Sequence, residues 1–401
     1  MDQRSGSTGL RDPVPASGFA EHSLDRRRFL ALMGGGVAYV TLRPHLAWAK
    51  RAFRAVPLLQ PWKLPDQAPS HPVDCARALI GAAVLAPSEW NSQPWRFEVD
   101  GSTIRLRVDP QRSLPVTDPD QRNMLISVGA ALENLLVAAR AYGLRPTVIY
   151  HPEAAPRGAI AEVTWSGGDV RRDRTLFAAI TERRTNRREY DGRGIYAQNR
   201  AQLGAQVPEG FRLRWIDDRD VIRSLADVAA EAVRSRVRDS RAQAERFSWM
   251  RFGDDDARRR GDGVTVEALQ VGGPARWLAR HYFDPHSWFL RFGAQNAAKQ
   301  TREAMRSSGA LALLSVTEGG SQQWLVGGQT YERFALKATQ LGIAHQPIHP
   351  PLQIPRYRAE VLRRFGATGE EPLMLVRLGH AKQPPPSVRR NVVLVSSFRN
   401  S

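Results

Sequence analysis

Residues 86–95 form a polar segment whose side chains could bind a small molecule. The segment reads A-P-S-E-W-N-S-Q-P-W and follows apolar residues at helical spacing. Ser88, Asn91 and Gln93 supply uncharged hydrogen-bond donors and acceptors, and Pro87 precedes them. We therefore interpret the segment as a ligand-binding loop. The structural alternative is a capped loop that leads into a strand.

A second candidate is the run R-R-T-N-R that begins at Arg183. In it Arg183 and Arg187 flank Thr185. Two guanidinium groups around a hydroxyl suit a phosphate monoester, because charge-assisted bidentate hydrogen bonds are strong and directional. Arg389 and Arg390 form a further basic pair. Arginine is common throughout this chain, so each run taken alone could equally be a solvated surface.

Together these motifs resemble those of the nitroreductase-like FMN flavoproteins, in particular the Acg-type subgroup. The loop matches the pattern A-P-S-x-x-N-x-Q-P-W that wraps the flavin in that family, and the arginine run is similar to the family's R-x-[ST]-x-[RK] phosphate grip. The segment 341–347 stands where the family places a loop over the reactive edge of the flavin. The resemblance implies FMN as the cofactor, bound by Pro87, Ser88, Asn91, Gln93, Arg183, Thr185, Arg187, His345, Gln346, Pro347, Arg389 and Arg390.

The sequence departs from the family after that last segment. Family members often carry P-x-x-G, or an acidic residue with a glycine, where this chain reads I-H-P-P from Ile348. This departure puts ordinary hydride transfer in doubt, and we assign no catalytic residue. His345 and His349 have a spacing that suggests a metal, but Pro347 disrupts the helix that would align them and no third ligand is apparent. We predict no metal site.

An internal repeat indicates a duplication. The segment 129–143 aligns without a gap with the segment 328–342, and both begin and end in glycine. Glu133 and Glu332 fall in register. Each closing glycine fits the position after a helix, where a left-handed backbone is needed. The alternative is a chance likeness of two amphipathic helices, and we favour two equivalent helices packed about a pseudo-twofold axis.

The two candidate motifs lie in different halves of the repeat. In the resembled family the loop of one subunit meets the arginine grip of the other, and this chain has the loop only in its first half and the grip only in its second. The expected molecule is therefore a monomer with an internal pseudo-dimer. It should hold one complete FMN site and one vacant pseudo-site.

The expected fold is α+β and nitroreductase-like, with helices packed on antiparallel-type sheets. A helix should start near Asp74, and Asp100-Gly101 should turn a hairpin. We divide the chain into a signal at 1–49, a proline-rich arm at 50–73 with exposed Phe53 and Trp62, a first half at 74–170 and a second half at 171–392. An aromatic-rich stretch at about 246–295 is interpreted as a lid over a pocket.

The N-terminal segment resembles a twin-arginine export signal. Arg26, Arg27 and Arg28 precede an apolar stretch from Phe29 to Leu42, and A-W-A at 47–49 suits cleavage. A helix over that stretch covers about 21 Å, short of the ~30 Å hydrocarbon core, so we predict no permanent membrane anchor. The segment predicts a partner in the twin-arginine export machinery and a location in the periplasm or cell envelope.

Composition excludes several other classes of protein. The formal charge is +18, from 58 basic and 40 acidic residues, but the arginines are scattered and accompany no nucleic-acid motif, so we predict no nucleic-acid partner. The single cysteine, Cys75, rules out an internal disulfide and thiolate-bound clusters. The sequence contains no nucleophile elbow or P-loop pattern.

The resemblance therefore implies a flavoprotein that reduces a small nitro-aromatic or quinone-like acceptor by two electrons, with an unidentified electron donor. An alternative is a flavin-sequestering or storage protein whose lid closes the pocket. A third possibility is a structural or interaction protein with an inactive flavin fold. The sequence leaves the donor and the acceptor open.

Overall fold

The computed structural model describes residues 62–151, 158–167, 172–269 and 289–399, without the side chains of residues 254 and 289–295. The chain separates into a unit Met1–Arg54, which lies outside the described residues, and a unit Ala55–Ser401, which contains every feature below. The predicted signal, the arm before residue 62 and residues 270–288 of the predicted lid also lie outside the described residues.

The first half contains two helices and four strands. In chain order these are α1 (Pro72–Ala83), β1 (Trp95–Asp100), β2 (Thr103–Val108), α2 (Arg122–Ala141), β3 (Arg145–Tyr150) and β4 (Ala159–Ser166). The helix predicted near Asp74 is confirmed and begins at Pro72, because proline is tolerated in the first turn of a helix. The hairpin predicted at Asp100-Gly101 is also confirmed.

The second half adds a long segment between its first two strands. Its elements are α3 (Phe177–Glu182), α4 (Ala197–Gly204), β5 (Phe211–Ile216), α5 (Arg219–Arg238), α6 (Ser240–Ser248), β6 (Met250–Arg251), α7 (Asp254–Arg260), β7 (Val264–Thr265), α8 (Phe289–Arg306), β8 (Ala310–Val316), α9 (Ser321–Gln340), β9 (Ala344–Pro347), α10 (Pro350–Gln353), α11 (Pro355–Arg364), β10 (Glu371–Gly379), α12 (Val392–Val395) and β11 (Ser396–Phe398). We call residues 217–309 the insertion, and it contains the segment interpreted as a lid.

Two four-stranded antiparallel sheets share one strand order. The first runs β1-β2-β4-β3, and β11 adds to the other edge of β1 as a parallel strand. The second runs β5-β8-β10-β9. In each sheet a 20-residue helix joins the second and third strands along the chain, α2 in the first and α9 in the second. The α+β class is confirmed in the described part of the chain, but its sheets are mixed, because β11 pairs parallel with β1 and β6 pairs parallel with β7.

Helices α2 and α9 pack closely at two glycines. A Cβ atom on Gly129 would lie 2.0 Å from the carbonyl oxygen of Leu325, and one on Gly328 would lie 2.0 Å from that of Ile126. The repeat spacing is 328 − 129 = 199, and 325 − 126 gives the same number. The two contacts are therefore reciprocal, as in an isologous interface. Both helices also end with the same pattern of backbone hydrogen bonds, and a glycine with positive φ follows each.

The insertion contributes to the core of the second half. Ile222 of α5 belongs to the same buried apolar cluster as Leu313 and Leu375, which lie on neighbouring strands. The opposite face of that sheet packs against α9, where Leu314 and Phe334 share a second cluster. The sheet is thus covered on both faces, and part of that cover comes from the insertion.

Helix α2 is the apolar centre of the first half. It is long and apolar enough to cross a membrane by length and composition, but 94% of the relevant window is buried inside the fold. This degree of burial is typical of a core helix in a soluble domain.

Candidate functional site

Two adjoining cavities bring the predicted motifs together. Both are lined by Pro87 and Ser88 from the polar loop and by Thr185 and Arg187 from the arginine run. One encloses about 550 Å³ beside the central helices, and we call it the helix cavity. The other encloses about 440 Å³, and we call it the arginine cavity.

The helix cavity lies between the two halves. Helix α2 contributes one wall, and α9, β9 and β10 contribute the others. Its remaining lining residues are Glu89, Trp90, Asn123, Ile126, Ser127, Ala130, Tyr331, Gln346, Pro347, His349 and Met374. The mixture of apolar walls with a few polar groups is typical of a site for a flat heterocycle.

The arginine cavity gathers four guanidinium groups. Arg183, Arg184, Arg187 and Arg389 all line it, although they come from two distant segments of the chain. Burial, with a smaller contribution from neighbouring guanidinium groups, lowers the pKa of Arg184 and of Arg187 to about 10 and that of Arg389 to about 9. The cavity therefore carries concentrated positive charge that an anion would relieve.

One carboxylate is buried with these arginines. Glu332 of α9 lies 3.3 Å from Arg183, and both side chains are almost fully buried. Burial raises the pKa of Glu332 to about 7. Nη1 of Arg183 and Nε of Arg389 are buried and have no hydrogen-bond partner within the described residues. Buried donors of this kind are expected to have a partner, so they indicate room for a ligand or water.

Backbone pairing places the arginine run beside β9. Thr185 forms a parallel bridge with His345, and the amide of Asn186 donates to the carbonyl of His345 at 3.0 Å. Helix α3 ends at Glu182, so the run leaves the helix and continues as extended chain along the strand. This arrangement holds Arg187 at the junction of the two cavities.

The polar loop has an unusual backbone. Trp90, Asn91 and Gln93 have φ values of 51°, 54° and 53°, which non-glycine residues rarely adopt. Such residues occur where surrounding contacts fix them, and often at functional sites. The loop is therefore held by side-chain bonds.

Those bonds are made by Asn91 and Gln93 themselves. Gln93 is fully buried; its amide nitrogen donates to Gly261 O at 2.8 Å, and its amide oxygen accepts from the Arg390 backbone nitrogen at 2.9 Å. Nδ2 of Asn91 donates to Gly263 O at 2.9 Å, and Oδ1 of Asn91 accepts from Arg389 at 2.9 Å. The loop is thus clamped to the insertion and to the C-terminal segment.

Nine of the twelve predicted cofactor-binding residues line one or both cavities: Pro87, Ser88, Asn91, Arg183, Thr185, Arg187, Gln346, Pro347 and Arg389. Gln93, His345 and Arg390 do not line them. Both polar ends of the Gln93 side chain bind protein backbone, as described above. The Arg390 guanidinium donates to Leu394 O at 2.9 Å and lies 3.9 Å from Asp109.

His345 lies on the other side of β9 from Gln346, because neighbouring side chains of a strand point to opposite faces. Its ring lies 3.5 Å from the Tyr331 hydroxyl, and burial lowers its pKa to about 3. It lines a third cavity of about 680 Å³ together with Arg184 and Asn186. No group of three His, Cys, Asp or Glu side chains that could hold a metal was found among the described residues.

Trp62 is a site residue that sequence reasoning misplaced. We expected an exposed aromatic in the arm, but its indole nitrogen donates to Ser387 O at 3.2 Å and its ring lies 4.2 Å from the Arg184 guanidinium. Arg184 itself was not predicted, although it stands inside the arginine run. No local pattern distinguishes it from the many other arginines.

Glu89 was also missed. It lies one residue after Ser88 in the polar loop, and it lines the helix cavity. Its carboxylate accepts from Asn123 at 2.7 Å and from Gln353 at 2.8 Å. Burial raises its pKa. Asp118 lies close by, and burial followed by the charge of Glu89 raises the pKa of Asp118 to about 6.

Comparison with known proteins gives relatives that include proteins named as nitroreductases. No protein-family model matches the chain. Two Mycobacterium tuberculosis proteins are similar to it in sequence, and the name of each begins "Putative NAD(P)H nitroreductase". One is 29% identical over 328 residues, covering 80% of this chain and 90% of the relative. The other, acg, is 26% identical over 326 residues, covering 80% and 94%.

Two solved structures overlap about half of the chain. A nitroreductase with bound FMN from Desulfitobacterium hafniense is 14% identical and covers 54% of this chain and 93% of its own, with a TM-score of 0.33. An FMN-bound nitroreductase from Bacteroides fragilis is 16% identical, covers 54% and 94%, and gives a TM-score of 0.32. The chain is therefore similar, over four fifths of its length, to proteins named as nitroreductases, as its motifs predict.

Proposed function

We propose that the chain is an FMN-binding oxidoreductase of the nitroreductase type, which passes two electrons from a donor to a small aromatic or quinone-like acceptor. The observation that carries this proposal is the arginine cavity, which opens beside the helix cavity and shares four lining residues with it. The names of the sequence relatives support it.

The arginine cavity fits the phosphate of FMN. Arg183, Arg184, Arg187 and Arg389 face it, and Glu332 lies 3.3 Å from Arg183. The orphaned Nη1 of Arg183 needs an acceptor that the described residues do not provide. A phosphate monoester offers several strong acceptor oxygens and about two negative charges.

The helix cavity fits the ring system. Ile126, Tyr331 and Met374 provide apolar wall, and Ser88 and Gln346 provide uncharged polar groups. FMN, when bound, would supply the two-electron chemistry. The residues of this chain would bind and orient the FMN and exclude water from the apolar part of the cavity. We assign no catalytic acid or base.

We further propose that the chain is a fused pseudo-dimer. The shared strand order of the two sheets and the reciprocal contacts of Gly129 and Gly328 support a duplication. The equivalent of Ala130, at 130 + 199, is Gln329. Gln329 occupies the matching position with a bulky amide that bonds Glu133 at 3.2 Å and Tyr150 at 3.1 Å. Gln329 thus takes up space at the pseudo-equivalent of one wall position of the helix cavity, which supports the proposal of one FMN per monomeric chain.

Flavin storage is the second candidate, and the described part of the insertion favours it. Gly263, Val264 and Ala268 line the arginine cavity, so the insertion encloses the end that would hold the phosphate. Enclosure slows the release of a ligand, which is useful for a store.

Export remains a separate proposal, which the segment at 1–49 supports by its sequence alone. Fractionation of cells that express the full chain tests it. The Arg26→Lys, Arg27→Lys variant should stay in the cytoplasm while the unaltered chain reaches the envelope, and equal distribution of the two would contradict export by this signal.

Steady-state turnover tests the proposed activity. Full-length protein should oxidise NADH or NADPH only when a quinone or nitro-aromatic is supplied, with a ping-pong pattern. Protein stripped of flavin serves as the control. Bound FMN without turnover by any of these acceptors would favour storage instead, and failure to bind FMN would overturn both candidates.

A further inference from the structure

A buried turn in the insertion lies next to the arginine cavity. Gly261 and Gly263 flank Asp262, with φ values of 61° and 73°, and the Asp262 side chain is 5% exposed. A Cβ atom on Gly261 would lie 2.7 Å from Arg389 O, and one on Gly263 would lie 2.5 Å from Trp249 O. Both glycines are therefore needed for conformation and for close approach.

The carboxylate of Asp262 ties this turn to two arginines. Its Oδ1 accepts from Arg251 Nε at 3.0 Å and from Arg251 Nη2 at 2.8 Å, which is a forked contact within the insertion. Its Oδ2 accepts from Arg112 Nη1 at 2.8 Å. Arg112 follows β2 in the first half, and the same nitrogen donates to Ser92 O at 2.7 Å. Asp262 thus links the insertion to the polar loop.

The Gly261–Gly263 turn also holds the polar loop in place. Its two glycine carbonyls are the acceptors for Gln93 and Asn91, whose φ values are positive. Asn91 accepts from the Arg389 guanidinium, so the position of that cation depends on the clamped loop. Further along the insertion, Ala268 O accepts from Arg187 at 3.0 Å. Two of the four cavity arginines, Arg389 and Arg187, therefore donate to groups held by this turn or by the chain that follows it.

Asp262 itself does not line the arginine cavity, whereas Gly263, Val264 and Ala268 do. Asp262 therefore acts by holding the residues that form the cavity wall, and not by contacting a ligand. Asp255 of the same segment, by contrast, forms an exposed pair with Arg258 one helical turn away. Such exposed pairs contribute little to structure.

We propose that Asp262 is a positioning residue for phosphate recognition: through Arg251 and Arg112 it fixes the Gly261–Gly263 turn, and the turn fixes Asn91 and hence Arg389. The described part of the insertion is then a fixed wall of the phosphate end of the site and not a mobile cover. This inference rests on the proposed function for the identity of the ligand, FMN.

Replacement of Asp262 by Asn tests the role in the full-length protein. Asn keeps the shape but removes the charge that both arginines require, so the FMN dissociation constant should rise about tenfold or more. Riboflavin lacks the phosphate, so its dissociation constant should change much less. Asp255→Asn is the matched control and should leave both constants unchanged. Flavin fluorescence quenching measures each value.

The ratio of the two affinities separates positioning from general damage. A variant that lost FMN and riboflavin binding equally, or that lost neither, would overturn the proposal. If Asp262→Asn does not fold, Arg112→Ala provides the same test, because Arg112 is partly exposed and makes the link to the first half. Its FMN affinity should fall selectively, and an unchanged ratio would count against the proposal.

Inorganic phosphate distinguishes this inference from the proposed function. It needs the arginine cavity but no flavin site, and its binding is measured by the rise in melting temperature of the protein. A chain that binds phosphate but not FMN would contradict the proposed function alone. Phosphate stabilisation that is as large in Asp262→Asn as in the unaltered chain would overturn the positioning role.

Discussion

The guanidinium of Arg183 lies 3.3 Å from the carboxylate of Glu332, in the interior beside the arginine cavity. The pair joins a residue of the arginine run to the middle of α9. The pair therefore couples the proposed phosphate site to the packing between the two halves. Removal of Arg183 would disturb that packing as well as the phosphate site.

The first prediction concerns the pH dependence of stability. Burial raises the folded-state pKa of Glu332 to about 7, so the folded chain holds this proton at pH values where the unfolded chain has lost it. The stability contributed by the neutral carboxyl should be present below the ordinary glutamate pKa and should be lost as the pH rises through about 7. Glu332→Gln removes this titration.

Urea unfolding of both proteins between pH 4 and pH 8 provides the measurement. Relative to Glu332→Gln, the unaltered chain should lose up to about 3 kcal/mol of unfolding free energy across this range. The comparison cancels groups that titrate in both proteins, including His345. A difference between the two proteins that stays constant with pH would show that folding does not shift the pKa of Glu332, and it would contradict the prediction.

The second prediction concerns the phosphate grip. Arg187→Ala should weaken FMN binding by about ten- to a hundredfold, because a charge-assisted hydrogen bond contributes roughly 1.5–3 kcal/mol. Arg187 has no buried carboxylate partner in the described structure, whereas loss of Arg183 would leave Glu332 unpaired and weaken the fold. Arg188→Ala, an exposed neighbour, is the control. Calorimetric titration with FMN gives both constants, and equal affinities would place the phosphate elsewhere.

The third prediction concerns the packing of α2 against α9. Gly328→Ala would place a methyl group 2.0 Å from a backbone carbonyl that cannot move without shifting the helix. We expect a loss of about 3 kcal/mol or more in unfolding free energy. Gly204→Ala is the control, because it lies in helix α4 with no atom within 4 Å of the new carbon. Denaturant unfolding measures both, and similar stabilities for the two variants would refute the close approach.

The fourth prediction separates an enzyme from a store. In a reductase, NADH or NADPH should bleach the bound flavin on the time scale of turnover. In a store, a small inorganic reductant such as dithionite should bleach it quickly and a nicotinamide only slowly. Stopped-flow absorbance of the intact protein decides, with free FMN as the control. Removal of the whole insertion is a poor test, since Ile222 of the insertion packs into the core of the second sheet.

Local sequence predicted the parts of the site that are contiguous in the chain. The polar loop and the arginine run each carry several matching residues within ten positions, so their types and spacing were enough to place Ser88, Thr185 and Arg187 on the cavities. The Asp100-Gly101 turn and the glycine-ended repeats likewise predicted the first hairpin and the two central helices, because both patterns are local.

Contacts between distant segments could not be predicted in this way. Glutamine is a residue type that often contacts ligands, so the sequence alone pointed to a ligand contact for Gln93. Its actual partners are protein groups 168 and 297 positions away in the chain, and they become apparent only in the folded chain. Asp262 stands in a segment that we interpreted from its aromatics as a lid. Its role depends on Arg112 from the first half, 150 positions away.

The amount of flavin released per chain tests the central claim most directly. The full-length protein, saturated with FMN, freed of excess and then denatured, should release one FMN per polypeptide, because one pair of cavities combines the loop with the arginine run and Gln329 takes up space at the pseudo-equivalent wall position. Chromatography identifies the flavin and absorbance counts it. A reproducible value near two, or no bound flavin, would contradict the account.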